Sequence, residues 1–467
     1  MVRQIPSEES NVPSTSALRV AIVGAGPAGI YAADILSKSA DASIDLFERL
    51  PAPYGLVRYG VAPDHPRIKG IILALYKVLQ RGDIRLLGNV DYGTDITMED
   101  LRRHYDAVIF ATGAIRDAEL NIPGVDLPGS YGAADFVSWY DGHPDVPRTW
   151  PLEAEKVAVI GNGNVALDVA RILAKDAEDM MSTEIPANVE EGLRANPVTD
   201  VHIFGRRGPA QAKFSPLELR ELGQVPGVDV IVYDEDFDFD EGSEQALEAS
   251  NQTRQVVKTL TDWTLRRRQD HPRRVHLHFL RSPVEILGQD RVEALRTERT
   301  RLTGDGSVEG TGEFTEFEVQ AVYRAVGYFG SPLPQVPFDP VRGVIPNEAG
   351  RIIEDGAPMP RTYATGWIKR GPVGLIGSTK SDAAETIRTL LEEFDDGERP
   401  APERDDQAVL AMLEERGVRY TTWHGWERLD TFERELGEAA GRERIKVVPR
   451  EDMTRISVAE TPADVAH

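Results

Sequence analysis

The sequence predicts an α/β protein with two Rossmann-like units, the second inserted into the first. Three observations support this fold: a glycine-rich turn at residues 24–29, a second one at residues 161–166, and a later strand near residue 362 that leads to Gly366. Each turn lies between an apolar strand and a helical pattern, as in a βαβ unit. At 467 residues, the chain is long enough to bury two such cores.

The first turn has the features of a dinucleotide-binding site. Residues 18–23 form a buried-strand pattern, and Gly24, Gly26 and Gly29 follow before a helical pattern. In such a site the first glycine makes the tight turn, the second admits the pyrophosphate, and the third lets helix and strand pack closely. The next apolar run ends at Glu48, which would accept hydrogen bonds from an adenosine ribose. A purely structural glycine turn is the alternative.

The second turn predicts a different specificity. Residues 156–160 form a strand pattern, residues 161–166 fit the G-x-G-x-x-A variant, and the next strand pattern ends in Gly-Arg-Arg-Gly at residues 205–208. An acid there would repel a 2'-phosphate, whereas Arg206 and Arg207 can grip it through charge-assisted hydrogen bonds. The second unit is therefore predicted to prefer NADP to NAD, unless the two arginines are merely solvated.

Together the two units indicate an FAD unit followed by an NADP unit, the pattern of a two-dinucleotide flavoprotein. The predicted organisation is a disordered tail (1–16), the first part of a discontinuous FAD domain (17–115), an inserted NADP domain (116–328) and the second part of the FAD domain (329–467). The last part is expected to contain a helix over residues 383–393.

Composition excludes several classes of function. With no cysteine, the chain can hold no thiolate-ligated iron–sulfur cluster, no disulfide and no redox-active cysteine pair. Its formal charge of -24 argues against general nucleic-acid binding, which depends on Lys and Arg. No window approaches the roughly 18 uninterrupted apolar residues of a membrane span. The first residues have neither a signal-peptide nor a transit-peptide pattern, which favours a cytoplasmic protein. No metal site is predicted.

The loop at residues 51–66 is crowded with glycine and proline, so it is expected to be an ordered loop near the ligand. His65 in this loop is a candidate proton carrier beside a cofactor, and a loop histidine that holds its neighbours is the alternative. An amphipathic helix is predicted over residues 67–81. Asp168, on the helix after the second turn, is a candidate proton relay or else a helix-surface carboxylate.

These motifs together resemble the adrenodoxin-reductase-like ferredoxin-NADP reductases. The resemblance covers about residues 18–458. Besides the two glycine turns and Gly-Arg-Arg-Gly, it rests on Gly366-Trp367, on residues 53–65 (Pro-Tyr-Gly-Leu-Val-Arg-Tyr-Gly-Val-Ala-Pro-Asp-His) and on residues 420–426 (Tyr-Thr-Thr-Trp-His-Gly-Trp). The resemblance implies a monomer.

The resemblance also implies contacts with each cofactor. FAD is implied to contact Ala28, Glu48, Leu56, Val90, Trp367, Gly374, Leu375 and Ile376. The resemblance implies that NADP contacts Asn162, Gly163, Asn164, Val165, Arg206, Arg207, Glu218 and Gly374. His65 with Glu221 resembles a pair placed near the nicotinamide.

The activity that the resemblance implies is electron transfer from NADPH through FAD to a ferredoxin-type iron–sulfur protein. The partner is expected to be acidic, and the net negative charge of this chain would repel it, so a local basic face is expected. The candidates for this face are Arg58, Arg67, Lys369, Arg370 and residues 265–281. Two alternatives remain. One is an NADPH diaphorase or quinone reductase with a small-molecule acceptor, and the other is a flavin-bearing subunit of a larger redox complex. A missing NADP site would favour the subunit.

Overall fold

The structure, a computed structural model, describes residues 17–373, 376–394, 400–401, 403 and 405–458, except for the side chains of residues 376 and 377. The predicted disordered tail and the predicted contact residues Gly374 and Leu375 lie outside the described residues, and so does the side chain of Ile376. Within the described part of the chain, no helix has the length and apolar character needed to cross a membrane.

A seven-stranded sheet forms the centre of the first domain. It combines strands from two distant parts of the chain, in the order Asn347–Glu348, Arg351–Glu354, Ala357–Ala364, Ala107–Phe110, Leu18–Val23, Ala42–Glu48 and Ile84–Gly88. From Ala357–Ala364 onwards neighbouring strands are parallel, and the two outer pairings before it are antiparallel. The strand Leu18–Val23 is buried along its whole length, as expected for a parallel strand covered on both faces.

Apolar clusters lie on both faces of this sheet. Val20 and Ile22 belong to one cluster, and Ala21 and Val23 belong to another, because successive side chains of a strand point to opposite faces. The helices of this domain are Pro27–Ser39, Leu56–Tyr59, Pro66–Lys69, Ile72–Leu79, Met98–His104, Trp367–Arg370, Ile376–Glu393, Ala408–Glu415, Trp423–Ala439 and Arg450–Val458.

A six-stranded parallel sheet forms the inserted domain. Its order is Ser130–Gly132, Ala321–Arg324, Lys156–Ile160, Asp200–Phe204, Arg273–His278 and Val228–Val232. Its α-helices are Ala133–Tyr140, Asn164–Ala174, Ala187–Arg194, Pro216–Leu222, Glu241–Ala249 and Asn251–Thr264, with single 3-10 turns at Ala177–Met180, Pro209–Gln211 and Asp234–Asp236. Both sheets thus have parallel strands joined by helices, which confirms the predicted α/β class.

Two smaller antiparallel elements complete the fold. Arg281–Leu287, Ala294–Leu302 and Val308–Glu318 form a three-stranded sheet. Arg116–Asp117 pairs with Tyr328–Phe329 in a two-stranded ribbon. Along the chain, Arg116–Asp117 lies between the strands Ala107–Phe110 and Ser130–Gly132, and Tyr328–Phe329 lies between Ala321–Arg324 and Asn347–Glu348, so each ribbon strand lies between a strand of one sheet and a strand of the other.

Two predicted helices have different bounds in the structure. The helix predicted over residues 67–81 is divided at residues 70–71 into Pro66–Lys69 and Ile72–Leu79. The helix predicted over residues 383–393 begins earlier, at Ile376. This longer helix packs against the helix Pro27–Ser39, which follows the first glycine turn.

Candidate active site

Steric demands explain two of the three glycines of the first turn. Gly24 has φ of +112°, and a Cβ atom there would lie 2.5 Å from the carbonyl oxygen of Ala111. A Cβ atom on Gly29 would lie 2.0 Å from the carbonyl oxygen of Gly24. At Gly26, by contrast, the nearest atom to a Cβ would be the Gly55 Cα at 3.9 Å, so the space beside it is open to a ligand. This division of roles is that of a pyrophosphate-binding turn.

The Glu48 carboxylate lies directly against this turn. Its Oε2 atom accepts a hydrogen bond from the N–H of Ala25 at 2.9 Å, and its Oε1 atom accepts one from the N–H of Leu50 at 3.1 Å. The N–H of Val90 donates to the Glu48 carbonyl oxygen at 2.9 Å. Burial raises the pKa of Glu48. The structure therefore brings the predicted ribose acceptor to the glycine turn.

The returning strand also reaches this turn. Gly366 has φ of +76°, and a Cβ atom there would lie 2.5 Å from the Cβ atom of Ala28. Half-buried Trp367 follows, so it too lies at the first turn. Asp382, which the sequence did not single out, accepts a hydrogen bond from the N–H of Gly366 at 2.5 Å. Leu56 begins a short helix immediately after Gly55.

The second turn repeats this pattern. Gly161 has φ of +153°, and a Cβ atom there would lie 2.2 Å from the carbonyl oxygen of Ala325. A Cβ atom on Gly163 would have no atom within 4 Å. Since Gly163 directly precedes the helix Asn164–Ala174, free space and a helix N-terminus coincide, as an anionic ligand requires.

Two asparagines connect this turn to the segment that carries Glu218. The carbonyl oxygen of Asn162 accepts a hydrogen bond from the N–H of Lys213 at 2.9 Å. The Oδ1 atom of Asn164 accepts one from the N–H of Ser215 at 2.8 Å. These residues therefore brace the segment before Glu218, and the neighbouring half-buried Val165 packs against the core of the inserted domain.

The two predicted phosphate-binding arginines present free charges. Arg206 is exposed and Arg207 is half-buried. Their carbonyl oxygens accept hydrogen bonds from the Thr300 hydroxyl at 2.7 Å and from the N–H of Leu280 at 3.1 Å, which fixes the loop. Within the described residues, neither guanidinium group has a hydrogen bond or an ion pair. Both are available to an anion.

His65 lies at the centre of a buried cluster between the two domains. Its side chain is 3% exposed. The Nε2 atom lies 2.9 Å from Asp168 Oδ1 and 2.7 Å from Glu218 Oε2, and the Nδ1 atom lies 2.9 Å from Glu221 Oε2. The structure thus brings all three candidate catalytic residues together, and it places Asp168 in the cluster rather than on an open helix surface.

The electrostatics of the cluster favour a charged imidazole. Burial alone would lower the pKa of His65, but hydrogen bonds to Asp168 and Glu218 outweigh it and raise the pKa to about 9. Burial raises the pKa of Glu221. At neutral pH the imidazole therefore keeps a proton between carboxylates that belong to the other domain.

The sequence did not single out three further residues of the cluster as site residues, although one of them, Asp64, lies within the motif at residues 53–65. Arg171, on the same helix as Asp168, donates to both carboxylate oxygens of Asp64 at 2.8 and 2.9 Å. Lys175 also donates to Asp64, at 2.6 Å. Burial would raise the pKa of Asp64, but these two cations outweigh it and hold that pKa well below its ordinary value. The i, i+3 spacing of Asp168 and Arg171 predicts that they share a helix face, but it does not predict which residue of the first domain they contact.

Two candidates for a basic docking face are wrong. Arg58 is 2% exposed and pairs with Glu433 at 2.5 Å. Lys369 is 6% exposed and pairs with Glu385 at 2.6 Å and with Asp382 at 3.0 Å. Both cations are neutralised inside the protein and are not accessible to a partner.

Comparisons with known proteins agree with this geometry. The family described as Pyridine nucleotide-disulphide oxidoreductase matches residues 18–207. NADPH-ferredoxin reductase FprA of Mycobacterium tuberculosis is 42% identical over 455 residues, which are 94% of this chain and 99% of the relative. The mitochondrial NADPH:adrenodoxin oxidoreductase of Arabidopsis thaliana is 34% identical over 473 residues, which are 97% and 98% of the two chains. The solved structure of Mycobacterium tuberculosis FprA in complex with NADPH has a TM-score of 0.87 at 42% identity, and the match covers 95% of this chain and all of that one.

The fold and the paired turns define a flavin- and pyridine-nucleotide-dependent oxidoreductase. The chain belongs to the family that comprises NADPH-ferredoxin reductase FprA and NADPH:adrenodoxin oxidoreductase. Because it contains no cysteine, the disulfide chemistry in the description of the matching family has no counterpart in this chain.

Proposed function

We propose that this chain is an FAD-dependent reductase that takes electrons from NADPH and delivers them to a ferredoxin-type iron–sulfur protein. The observation that carries the proposal is the meeting of the two domains, each of which contains a glycine turn, at one cluster of titratable side chains. His65 comes from the first domain, and Asp168, Glu218 and Glu221 come from the second. Relatives named as NADPH-dependent reductases of ferredoxin or adrenodoxin, at 34–42% identity, support it.

FAD is assigned to the first turn. The open space beside Gly26 fits its pyrophosphate, and Glu48 fits an adenosine ribose. The other residues that we assign to FAD contacts are Gly24, Gly29, Ala28, Leu56, Val90 and Trp367, together with Gly374, Leu375 and Ile376.

NADP is assigned to the second turn. The open space beside Gly163 fits the pyrophosphate, and the free guanidinium groups of Arg206 and Arg207 fit the 2'-phosphate. The other residues that we assign to NADP contacts are Asn162, Asn164, Val165, Glu218 and Gly374.

The residues of the chain bind and orient the two cofactors, and FAD, when it is bound, supplies the redox chemistry. His65 holds a proton at its imidazole, and Glu221 and Asp168 fix the two sides of the ring. We propose that these three residues lie beside the nicotinamide. His65 itself is buried where the domains meet, whereas the side chain of Glu221 is 35% exposed.

Gly163→Ala should separate folding from NADP binding. The added methyl group has open space around it, so the free energy of unfolding should change little. It would occupy the place of the pyrophosphate, so NADP+ affinity should fall by about tenfold or more, which is about 1.4 kcal/mol. Calorimetric titration with NADP+ and urea unfolding measure the two effects. Gly161→Ala is the contrasting variant, because its methyl group would clash with Ala325 and unfolding itself should become easier. Unchanged NADP+ binding by Gly163→Ala would exclude the assigned site.

Glu48→Ala should lose flavin. The adenosine ribose would lose a charged acceptor whose hydrogen bond contributes roughly 1.5 to 3 kcal/mol. The absorbance of flavin that remains bound after prolonged dialysis measures the loss. Glu48→Gln is the matched control, since its amide oxygen can still accept from the N–H groups of Ala25 or Leu50. Full flavin retention by Glu48→Ala would show that Glu48 is not the ribose ligand.

The partner is proposed to be acidic and to dock on a local basic face. The candidates for this face that the structure does not exclude are Arg67 and Arg370 in the first domain and the exposed residues 265–268 in the second. Reduction of a ferredoxin should therefore slow as ionic strength rises, because salt screens the local attraction.

Stopped-flow mixing tests the acceptor. Protein reduced by NADPH is mixed with a panel of ferredoxins and quinones, and the rate of flavin reoxidation is followed at several salt concentrations. The proposal expects fastest reoxidation by a ferredoxin, with a rate that falls with salt. Faster reoxidation by quinones would instead identify a diaphorase, and a salt-independent ferredoxin rate would contradict the basic docking face.

The remaining parts of the proposal concern organisation. The domain boundaries are placed at residues 115–116 and 328–329. The first falls at the start of the ribbon strand Arg116–Asp117, and the second falls within the ribbon strand Tyr328–Phe329. We place the working protein in the cytoplasm as a monomer. Light scattering at micromolar concentration tests the monomer, because a dimer would double the 51.6 kDa mass.

A further inference from the structure

A buried guanidinium group joins the two domains beside His65. The Arg171 side chain is 2% exposed. Its Nε atom and one terminal nitrogen hold both carboxylate oxygens of Asp64, at 2.8 and 2.9 Å. The same terminal nitrogen lies 2.8 Å from Asp168 Oδ1. It also lies 2.7 Å from His65 Nε2, but this contact is not a hydrogen bond when the imidazole is charged, because both nitrogens are then donors. One side chain thus contacts two consecutive residues of the first domain and one carboxylate of the second.

The contacts cross from one domain to the other. Asp64 and His65 belong to the loop that ends at the helix Pro66–Lys69, in the first domain. Arg171 lies in the helix Asn164–Ala174, which follows the second glycine turn. The position of His65 therefore depends on how its own loop is attached to the helix that begins at the NADP pyrophosphate site.

We propose that Arg171 is a positioning residue, which fastens the Asp64–His65 loop to the NADP domain and so holds His65 between Glu218 and Glu221. The inference rests on the proposed function and deepens it. Arg171 does not touch a reacting atom in this account. It sets the mutual placement of the two nucleotide domains at the point where hydride must pass between their cofactors.

The geometry requires arginine rather than any cation. A guanidinium group is planar and offers several N–H donors in a fixed fork, so it can grip both oxygens of Asp64 and still reach Asp168. A lysine at this position carries one nitrogen on a flexible stem and cannot reproduce the fork. Lys175 would still hold Asp64 in an Arg171 variant, so the loop should loosen without the domains coming apart. A displacement of about 1 Å at a reacting centre can cost about a hundredfold in rate.

The test compares Arg171→Met with Arg450→Met. Arg450 donates to both oxygens of Asp145 at 2.8 and 2.9 Å, so this pair, like the Arg171 pair, joins distant parts of the chain. It differs because both side chains are about one third exposed and neither contacts His65. Three quantities are measured on flavin-loaded protein without any protein acceptor. They are the limiting rate of flavin reduction by NADPH, the calorimetric Kd for NADP+, and hydrogen–deuterium exchange of peptides that cover residues 62–69.

Arg171→Met should lower the limiting rate by about ten- to a hundredfold, change the Kd for NADP+ by less than about twofold, and raise exchange over residues 62–69. Arg450→Met should leave all three near their wild-type values. Arg171→Lys should recover only a small part of the rate. If Arg171→Met does not fold, Asp64→Asn weakens the same contact from the other side and should show the same split.

Four results would overturn the inference. These are a wild-type limiting rate with wild-type exchange over residues 62–69, a loss confined to NADP+ affinity, an equal effect of Arg450→Met, and full rescue by Arg171→Lys. Failure of the proposed function looks different. In that case wild-type flavin would not be reduced by NADPH, while the exchange comparison would still show whether Arg171 fastens the loop.

Discussion

Replacement of both Arg206 and Arg207 by alanine is expected to weaken NADPH binding by about a hundredfold or more. Each charge-assisted hydrogen bond to the 2'-phosphate contributes roughly 1.5 to 3 kcal/mol, so each single variant should lose about ten- to a hundredfold. NADH carries no such phosphate and should be almost indifferent to the changes. Steady-state kinetics with ferricyanide as acceptor give the Michaelis constants for both coenzymes.

Arg267→Ala is the matched control for this prediction. It removes the same charge from an exposed position of the same domain, in the stretch that precedes the strand Arg273–His278. Arg206 and Arg207 follow the carboxyl end of the strand Asp200–Phe204, whereas Arg267 precedes the amino end of the parallel neighbouring strand, so this change should not affect coenzyme preference. The maximal rate should survive in the arginine variants, since hydride geometry is set elsewhere. A double variant that still prefers NADPH to NADH as the wild type does would show that other residues read the phosphate.

Glu433→Gln should destabilise the protein by about 3 to 5 kcal/mol, the usual cost of breaking a buried ion pair from one side. Glu433 is 0% exposed and accepts from Arg58 at 2.5 Å, from Arg444 at 3.1 Å and from the N–H of Val447 at 3.0 Å. A neutral amide would leave the buried Arg58 guanidinium without its counter-charge. Urea unfolding of the flavin-loaded protein, with NADP+ held at a fixed concentration, measures the change.

Glu427→Gln on the same helix is the control for that experiment. The Glu427 side chain is 32% exposed, lies 3.0 Å from His424 and accepts a hydrogen bond from the Tyr76 hydroxyl at 3.0 Å. A glutamine can still accept that hydrogen bond, so loss of the charge should cost less than about 1 kcal/mol. Equal urea midpoints for the two variants would mean that the buried network around Glu433 contributes no more than a surface pair.

The sequence predicts those parts of the site that depend on local steric demands. Gly24, Gly29 and Gly161 are recognisable because a side chain at each would strike backbone within its own strand–turn–helix unit or the adjoining strand. The fold class follows from the same units and is confirmed. Glu48 could be predicted because it ends the strand next to the first turn.

The parts that the sequence did not predict depend on contacts between distant segments. Asp64 meets Arg171 across 107 positions, and Arg58 meets Glu433 across 375, so no local pattern pairs them. For the same reason Arg58 was expected on a docking face when it is in fact buried. The strand Val308–Glu318 was not predicted because most of its side chains are exposed, and such a strand lacks the apolar alternation that marks a half-buried one.

The ribbon of Arg116–Asp117 and Tyr328–Phe329 brings together the chain segments that precede and follow the second sheet. Paired strands lie about 4.8 Å apart, so removal of the insertion would leave two ends that a short turn could join. One continuous stretch of coding sequence therefore carries the whole second sheet together with Arg206 and Arg207. If Arg206 and Arg207 read the 2'-phosphate as proposed, exchange of that stretch between relatives would alter coenzyme choice and leave the first sheet intact. The junction that such an exchange must preserve is the contact of the Asp64–His65 loop with its partners in the exchanged stretch.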